Sequence, residues 1–238
     1  MSLTNPHPCT LIAIADNIEV QIVEHTPKID KSVEEAVNEA WKEAEKAGKT
    51  NGRVIGFLDY AISPEGQVII NAYIGQYKHF YVPRTNPEIK KIIKPIGVCG
   101  VISDAEENYL IGRRNQKVTQ YPGHLEFPPS GGLNVKDMDG SIIRAKDSLL
   151  REFCEETVFA PVHIKNLKPM GLLLDQNDEV YDIAFSIKLK TAFSSQANLR
   201  AEYAEEIIAP LKRIPQLLEN DLSVPTMPIL CRTISLLQ

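Results

Sequence analysis

A chain of 238 residues with 43% apolar and 24% charged side chains can bury a sizeable core, as one large domain or as a smaller domain with a partner. Its formal charge of -5 excludes a general electrostatic attraction to nucleic acid or an anionic membrane, and no apolar run nears the roughly 20 residues that span a bilayer. Cys9, Cys99, Cys154 and Cys231 form no Cys-x-x-Cys pair, which argues against a zinc site or a disulfide framework; with an opening that lacks a signal pattern, a reduced cytoplasmic setting is expected.

The first expected element is a helix over Lys31 to Lys46, where Val33, Ala36, Val37, Ala40, Trp41 and Ala44 recur at helical spacing between charges. Ser32 and Glu35 stand at capping-box spacing at its start. Strands at Val54 to Ile62 and Gln67 to Tyr73 follow, joined by a turn at Pro64-Glu65-Gly66. The run Gln76 to Val82 gathers Tyr77, Phe80 and Tyr81 beside Lys78 and His79. It reads either as core with a solvated edge or as the wall of a nucleobase or sugar pocket. Pro83 to Pro95, which carries the Lys90-Lys91 pair, reads as a boundary.

Strands at Ile96 to Ile102 and Asn108 to Arg113 come next, around a turn at Asp104 to Glu107. A loop rich in glycine and proline then runs from Arg114 to about Gly140, and loops that long inside a compact domain are often functional. A helix is expected over Ser141 to Thr157. After it, Met170 to Leu174 and Tyr181 to Leu189 read as paired strands with Asp175 to Asp178 as the turn. In the second, Tyr181, Ile183, Phe185, Ile187 and Leu189 alternate onto one face. A strand at Glu205 to Leu211 and a short helix at Ile214 to Glu219 complete the pattern. Strands, helix, strands, helix imply an α/β sandwich with helices on the faces of a mixed sheet.

The chemistry concentrates at Arg151-Glu152-Phe153-Cys154-Glu155-Glu156. On a helix Glu152, Glu155 and Glu156 fall within about one third of the circumference, where they repel by a few tenths of a kcal/mol per pair. A multivalent cation reverses that sign, and hard oxygen donors suit Mg²⁺ or Mn²⁺. Arg151, one turn before Glu155, can pair with it and hold it in place. Alone, such a cluster reads equally as a solvated acidic face. Its context is Pro128-Pro129-Ser130-Gly131-Gly132 before the helix and Arg113-Arg114 at the end of a strand. Carboxylates for metal, arginines for phosphate oxygens and a glycine loop together suit phosphoryl transfer.

These residues resemble the Nudix family signature, Arg-Glu-apolar-x-Glu-Glu behind a glycine lead-in like Phe127-Pro128-Pro129-Ser130-Gly131-Gly132. Three departures stand out. Ile143 occupies the usual upstream Glu position, Val158 replaces the Gly after the carboxylates, and the loop after Gly132 is longer. The layout from the Trp41 helix to the Ile214 helix is similar to that of the animal Nudix enzymes that cleave UDP-glucose and UDP-galactose. The shared stretches include Ile96-Gly97-Val98-Cys99-Gly100-Val101, Arg113 to Val118 and Pro122-Gly123.

The resemblance implies a Nudix-type α/β/α sandwich over residues 95–238, with residues 1–94 as a small α+β extension packed on it. It implies Mg²⁺ or Mn²⁺ held by Glu152, Glu155 and Glu156, with Arg151 orienting them. Arg113, Arg114, Lys117, Gly131 and Gly132 would hold a small-molecule nucleotide substrate, with no nucleic-acid or membrane partner. The expected reaction is pyrophosphate hydrolysis, of a UDP-sugar to UMP and sugar 1-phosphate, with ADP-ribose or a similar dinucleotide as the alternative. A non-catalytic nucleotide sensor is the alternative of another class. His124 is read as a polar loop residue, with a role touching phosphate as the alternative; Glu202, Glu205 and Glu206, where Nudix enzymes often place an extra carboxylate near the metal, are read as surface charge; Cys154 is read as inert packing, and Glu126 is left outside the site.

Overall fold

Two short strands open the computed structural model, which describes residues 9–194 and 197–237: β1 (Cys9–Ala13) and β2 (Ile18–Ile22). The opening where the sequence lacks a signal pattern lies outside the described residues. Helix α1 (Lys31–Lys46) has the expected bounds and buries Val37, Trp41 and Ala44. Its N-cap is Asp30, with no side-chain capping bond, so the Ser32–Glu35 capping box is corrected: both residues lie inside the helix, and both are exposed. Strands β3 (Arg53–Ile62) and β4 (Val68–Gln76) form the expected hairpin. The aromatic run folds as helix α2 (Tyr77–Thr85), which packs on α1. Trp41 meets Tyr77 and Tyr81 edge-on, with centroids 6.2 and 5.8 Å away. Lys78 and His79 are buried and both bind Glu34 of α1, at 2.6 and 2.8 Å.

The proline-rich stretch after α2 is packed along β3 and β4. Ile93 is 3% exposed, Phe57 N–H donates to Lys94 O at 2.7 Å, and Gly56 bridges to Pro95. Strands β5 (Ile96–Ser103) and β6 (Asn108–Arg114) match their expected positions. The long loop is not structureless: it carries β7 (Leu125–Glu126), β8 (Ser130–Gly132) and β9 (Met138–Asp139). The helix expected from Ser141 starts later, because Ile142–Ile143 form β10 between β2 and β9. Helix α3 spans Ala145–Glu156, followed by β11 (Ile164–Asp175), β12 (Val180–Leu189), β13 (Tyr203–Pro210), α4 (Ile214–Asn220) and α5 (Thr226–Leu237).

The strands form two mixed sheets. The larger runs β1-β11-β12-β5-β6-β13, with β7 on β6 and β8 on β5; the smaller runs β3-β4-β2-β10-β9. In the first, β12 and β5 are parallel; in the second, β2 and β4 are. One face of the large sheet packs on α3 and the small sheet, through Ile55, Ile70, Leu149, Phe153 and Ile183. The other face packs on α4 and α5, through Met170, Ile214, Met227 and Leu230. The result is the α/β/α sandwich on a mixed sheet that the sequence suggests. Phe57 stacks on Tyr181 with centroids 3.7 Å apart, joining the two sheets.

Candidate active site

Helix α3 packs its apolar stripe, Leu149 and Phe153, into the core, which turns Glu152 and Glu156 toward β8 and the large sheet. Glu152 lies against the backbone of Gly131: a methyl group there would overlap its carboxylate and force that side chain to move. Arg151 donates from Nη1 to Glu152 at 2.6 Å and from Nη2 to Gly132 O at 3.3 Å, and its Nη1 stands 3.8 Å from Glu155. Its Nε is buried without a hydrogen-bond partner among the described residues.

Glu156 is 3% exposed and forms the hub of a buried network. Ser130 N–H donates to it at 3.3 Å, and the Tyr203 hydroxyl lies 2.7 Å from Glu156 and 2.8 Å from Glu126. One hydroxyl has one proton, so it can donate to only one of these carboxylates at a time. Burial first, and the charge of Glu126 second, push the Glu156 carboxyl up to about 9. Burial likewise raises Glu126, which ion-pairs with Arg114. Arg114 also donates to Gln120 O at 3.0 Å and stands 3.7 Å from Glu202. Sheet register produces this meeting: Gly112 pairs with Glu126, and Tyr203 with Arg114. Gly112 has no side chain, and a methyl group there would overlap the Tyr203 ring.

These residues open on a cavity of about 760 Å³. Its lining includes Glu126, Ser130 to Gly132, Arg114, Arg151, Glu152 and Glu202. Tyr77, Phe80, Tyr121, Asp175 and Asp182 contribute to its remaining walls. Tyr77 thus braces Trp41, and both Tyr77 and Phe80 line the cavity.

No protein-family model matches the sequence, and no curated protein matches it. Solved structures do. DR0079 from Deinococcus radiodurans is 12% identical and covers 76% of this chain and 98% of its own, with a TM-score of 0.50. Tm1382, assigned provisionally to the Nudix hydrolases, is 15% identical and covers 76% of this chain and 99% of its own, also at 0.50. The NUDIX domain of Shewanella oneidensis NrtR, solved with ADP ribose, is 14% identical, covers 65% and 94%, and scores 0.46.

The chain has the Nudix fold.

On the Nudix fold of this chain, the expected residues divide. Arg114, Lys117, Gly131, Gly132, Arg151 and Glu152 line the cavity together. Arg113 does not: its guanidinium is bidentate to Asp221 at 2.9 and 2.6 Å and donates from Nε to Glu205 at 2.6 Å. Glu155 faces outward with its side chain 61% exposed, and Glu156 lies beneath the cavity wall. Ile143, at the usual Glu position, is 2% exposed in the core, where β10 pairs with β2. The surface reading of Glu202 is corrected, because it lines the cavity. Glu206 is half-buried and accepts from Asn198 N at 2.6 Å and Leu199 N at 2.8 Å. His124 touches Pro122 O at 3.1 Å and is not a lining residue. Tyr203, Glu126 and Asp182 carry no local motif; the glycines opposite Glu126 and Asp182 in register, Gly112 and Gly97, the first also under the Tyr203 ring, are the trace they leave.

The donor set fits a hard divalent cation. It is all carboxylate oxygen, and the charges of Glu126 and Glu202 add to burial in raising the affinity of Glu156 for protons, as that of Glu202 does for Glu126. A cation there would relieve that repulsion. In the side-chain positions described, no three acidic groups yet surround a common point.

Proposed function

We propose that this protein is a pyrophosphohydrolase that cuts the pyrophosphate bond of a nucleoside diphosphate-linked compound, with a UDP-sugar as substrate and UMP and sugar 1-phosphate as products. The observation that carries it is the carboxylate of Glu152, held by Arg151 and backed onto Gly131, in the wall of a cavity of about 760 Å³. The shared fold supports the class of reaction, and the layout resembling the UDP-glucose and UDP-galactose enzymes supports the substrate.

Glu152 and Glu156 would hold Mg²⁺ or Mn²⁺, with Glu155 turning in from the helix edge and Glu202 across the cavity. The ion, when bound, supplies positive charge against phosphoryl oxygens and acidifies water. Arg151 fixes the rotamer of Glu152 and so the direction in which its oxygens face. Arg114 is held in place by Glu126, and with Lys117 it neutralises charge on the diphosphate as the bridging P–O bond breaks. Water oxygen adds to one phosphorus, the bridging oxygen leaves on the other, and one water proton is released. Binding energy from the sugar and base at the far walls positions that bond over the carboxylates.

A nucleotide sensor is the second reading, favoured by the buried Ile143 and the outward Glu155. Product analysis separates the two. The protein is incubated with UDP-glucose, UDP-galactose, ADP-ribose, NADH and nucleoside triphosphates, with and without Mg²⁺. Mg²⁺-dependent UMP and hexose 1-phosphate are expected. ADP-ribose or a triphosphate ahead in kcat/KM by about tenfold or more would overturn the UDP-sugar assignment. Binding with no hydrolysis of any substrate would favour the sensor.

A further inference from the structure

Along the cavity, three adjacent strands contribute a row of residues in register: Asp182 of β12 pairs with Gly97 of β5, and Gly97 with Gly132 of β8. The two glycines place no side chain there, so beyond Asp182 the row is bare on that face, while Gly131, next to Gly132, faces the other way toward Glu152. Two strand spacings make it about 10 Å long.

Asp182 differs from the acids around it. Asp175 accepts from the Tyr121 hydroxyl at 2.5 Å and from Asn177 N–H at 2.9 Å. Glu126 has Arg114 and Tyr203. Asp182 has no hydrogen-bond partner among the described residues, although its carboxylate lines the cavity. Burial first, then Asp175 and Glu126, push it up to about 7. An unpartnered carboxylate so placed destabilises the fold unless something in the cavity completes it.

The geometry fits a particular kind of ligand. A carboxylate offers two acceptor oxygens side by side, and two neighbouring hydroxyls of a sugar offer two donors at matching spacing. The hydrogen-bonding edge of uracil offers one N–H between two carbonyls, which a carboxylate repels. A further phosphate would meet the combined charge of Asp175, Asp182 and Glu126. We infer that Asp182 is a specificity residue that accepts hydrogen bonds from the vicinal hydroxyls of the substrate's sugar and turns away an additional phosphate. This rests on the hydrolase reading for the placement of the diphosphate, and binding tests it apart from turnover.

Methylene-bridged, non-hydrolysable analogues of UDP-glucose and UTP are titrated by calorimetry, with Mg²⁺ present, into wild type, Asp182→Asn and Gly97→Ala. In the last variant the added Cβ would stand 2.5 Å from Asp182 Oδ1, so the carboxylate is moved without being removed. Wild type is expected to prefer the UDP-glucose analogue by about tenfold or more, and both variants to reduce that preference to about threefold or less. Asp182→Asn should also bind the UTP analogue more tightly. An unchanged preference in both folded variants, or equal losses for both ligands, overturns the proposal. Wild type that shows the preference yet forms no UMP from UDP-glucose supports Asp182 and overturns the hydrolase.

Discussion

Glu156 sits where the demands of stability and chemistry conflict. It is buried beside a second acid, and one tyrosine hydroxyl serves both. Its pKa in the folded chain, about 9, lies above the ordinary 4.5, so the folded protein holds a proton that the unfolded chain releases. The sign follows: the folded state loses stability as pH rises from 4.5 toward 9, and the loss is complete above that. Asp182 adds a loss of the same sign from 3.8 to about 7. The melting temperature of the metal-free protein is therefore expected to fall across this window, and that of Glu156→Gln to fall less. The same substitution should lower kcat by about 100-fold or more, as when a group that supports transition-state charge is removed. A variant with a wild-type pH profile of stability, or with kcat within about threefold, would remove Glu156 from the site.

At the scale of elements, the contact of α3 with β8 decides the position of Glu152. Gly131→Ala puts a methyl group where the carboxylate lies, and should cost about 1–3 kcal/mol of stability while moving Glu152. A drop in kcat of about tenfold or more is expected, with KM changed less, because the displaced group acts on the reacting bond rather than on the whole ligand. A loss confined to KM would place Glu152 in binding alone. The legibility of the sequence follows from the same distinction between local and assembled features. Arg151 to Glu156 can be read from the chain because one helix carries them all. Glu126, Tyr203 and Asp182 stand on three different strands, and only pairing across the large sheet makes them neighbours. Helix α1 and strands β5, β6 and β12 announce themselves by period. Strand β2 does alternate, apolar at Ile18, Val20 and Ile22, but over five residues only, and β1 does not alternate. Helix α2 hides behind aromatics and the internal Pro83, which ordinarily argues against helix. Helix α5 has a single charged residue, Arg232, so its polar face is weakly marked.

For the whole molecule, the first 94 residues take part in both sheets. Strand β1 pairs with β11 at one edge of the large sheet, and β2 pairs with β10 in the small one. Val20, Ile55, Val68 and Ile70, each 0% exposed, belong to the core that holds Leu149 and Phe153 of α3. Burial of such a side chain stabilises by about 1.5–3 kcal/mol, so these four together approach the roughly 5–15 kcal/mol that holds a domain folded. Arg53, Val54, Tyr77 and Phe80 from the same portion line the cavity. A chain starting at Ile93 is expected to lose cooperative thermal unfolding and activity together. Cooperative melting with full activity and selectivity would make the N-terminal portion a passenger.

Trp41, the chain's single tryptophan, has a consequence for the spectroscopist. Its indole N–H donates to Glu45 at 2.7 Å and its ring meets Tyr77, which also lines the cavity. The protein thus carries one tryptophan fluorophore, one residue removed from any ligand that touches Tyr77. Titration with the UDP-glucose analogue should give a saturable change in its emission, abolished in Trp41→Phe, with a midpoint equal to the calorimetric Kd. Silent emission during binding that calorimetry detects would mean that the ligand stops short of α2. Each occupied molecule would otherwise announce itself by light, without a label.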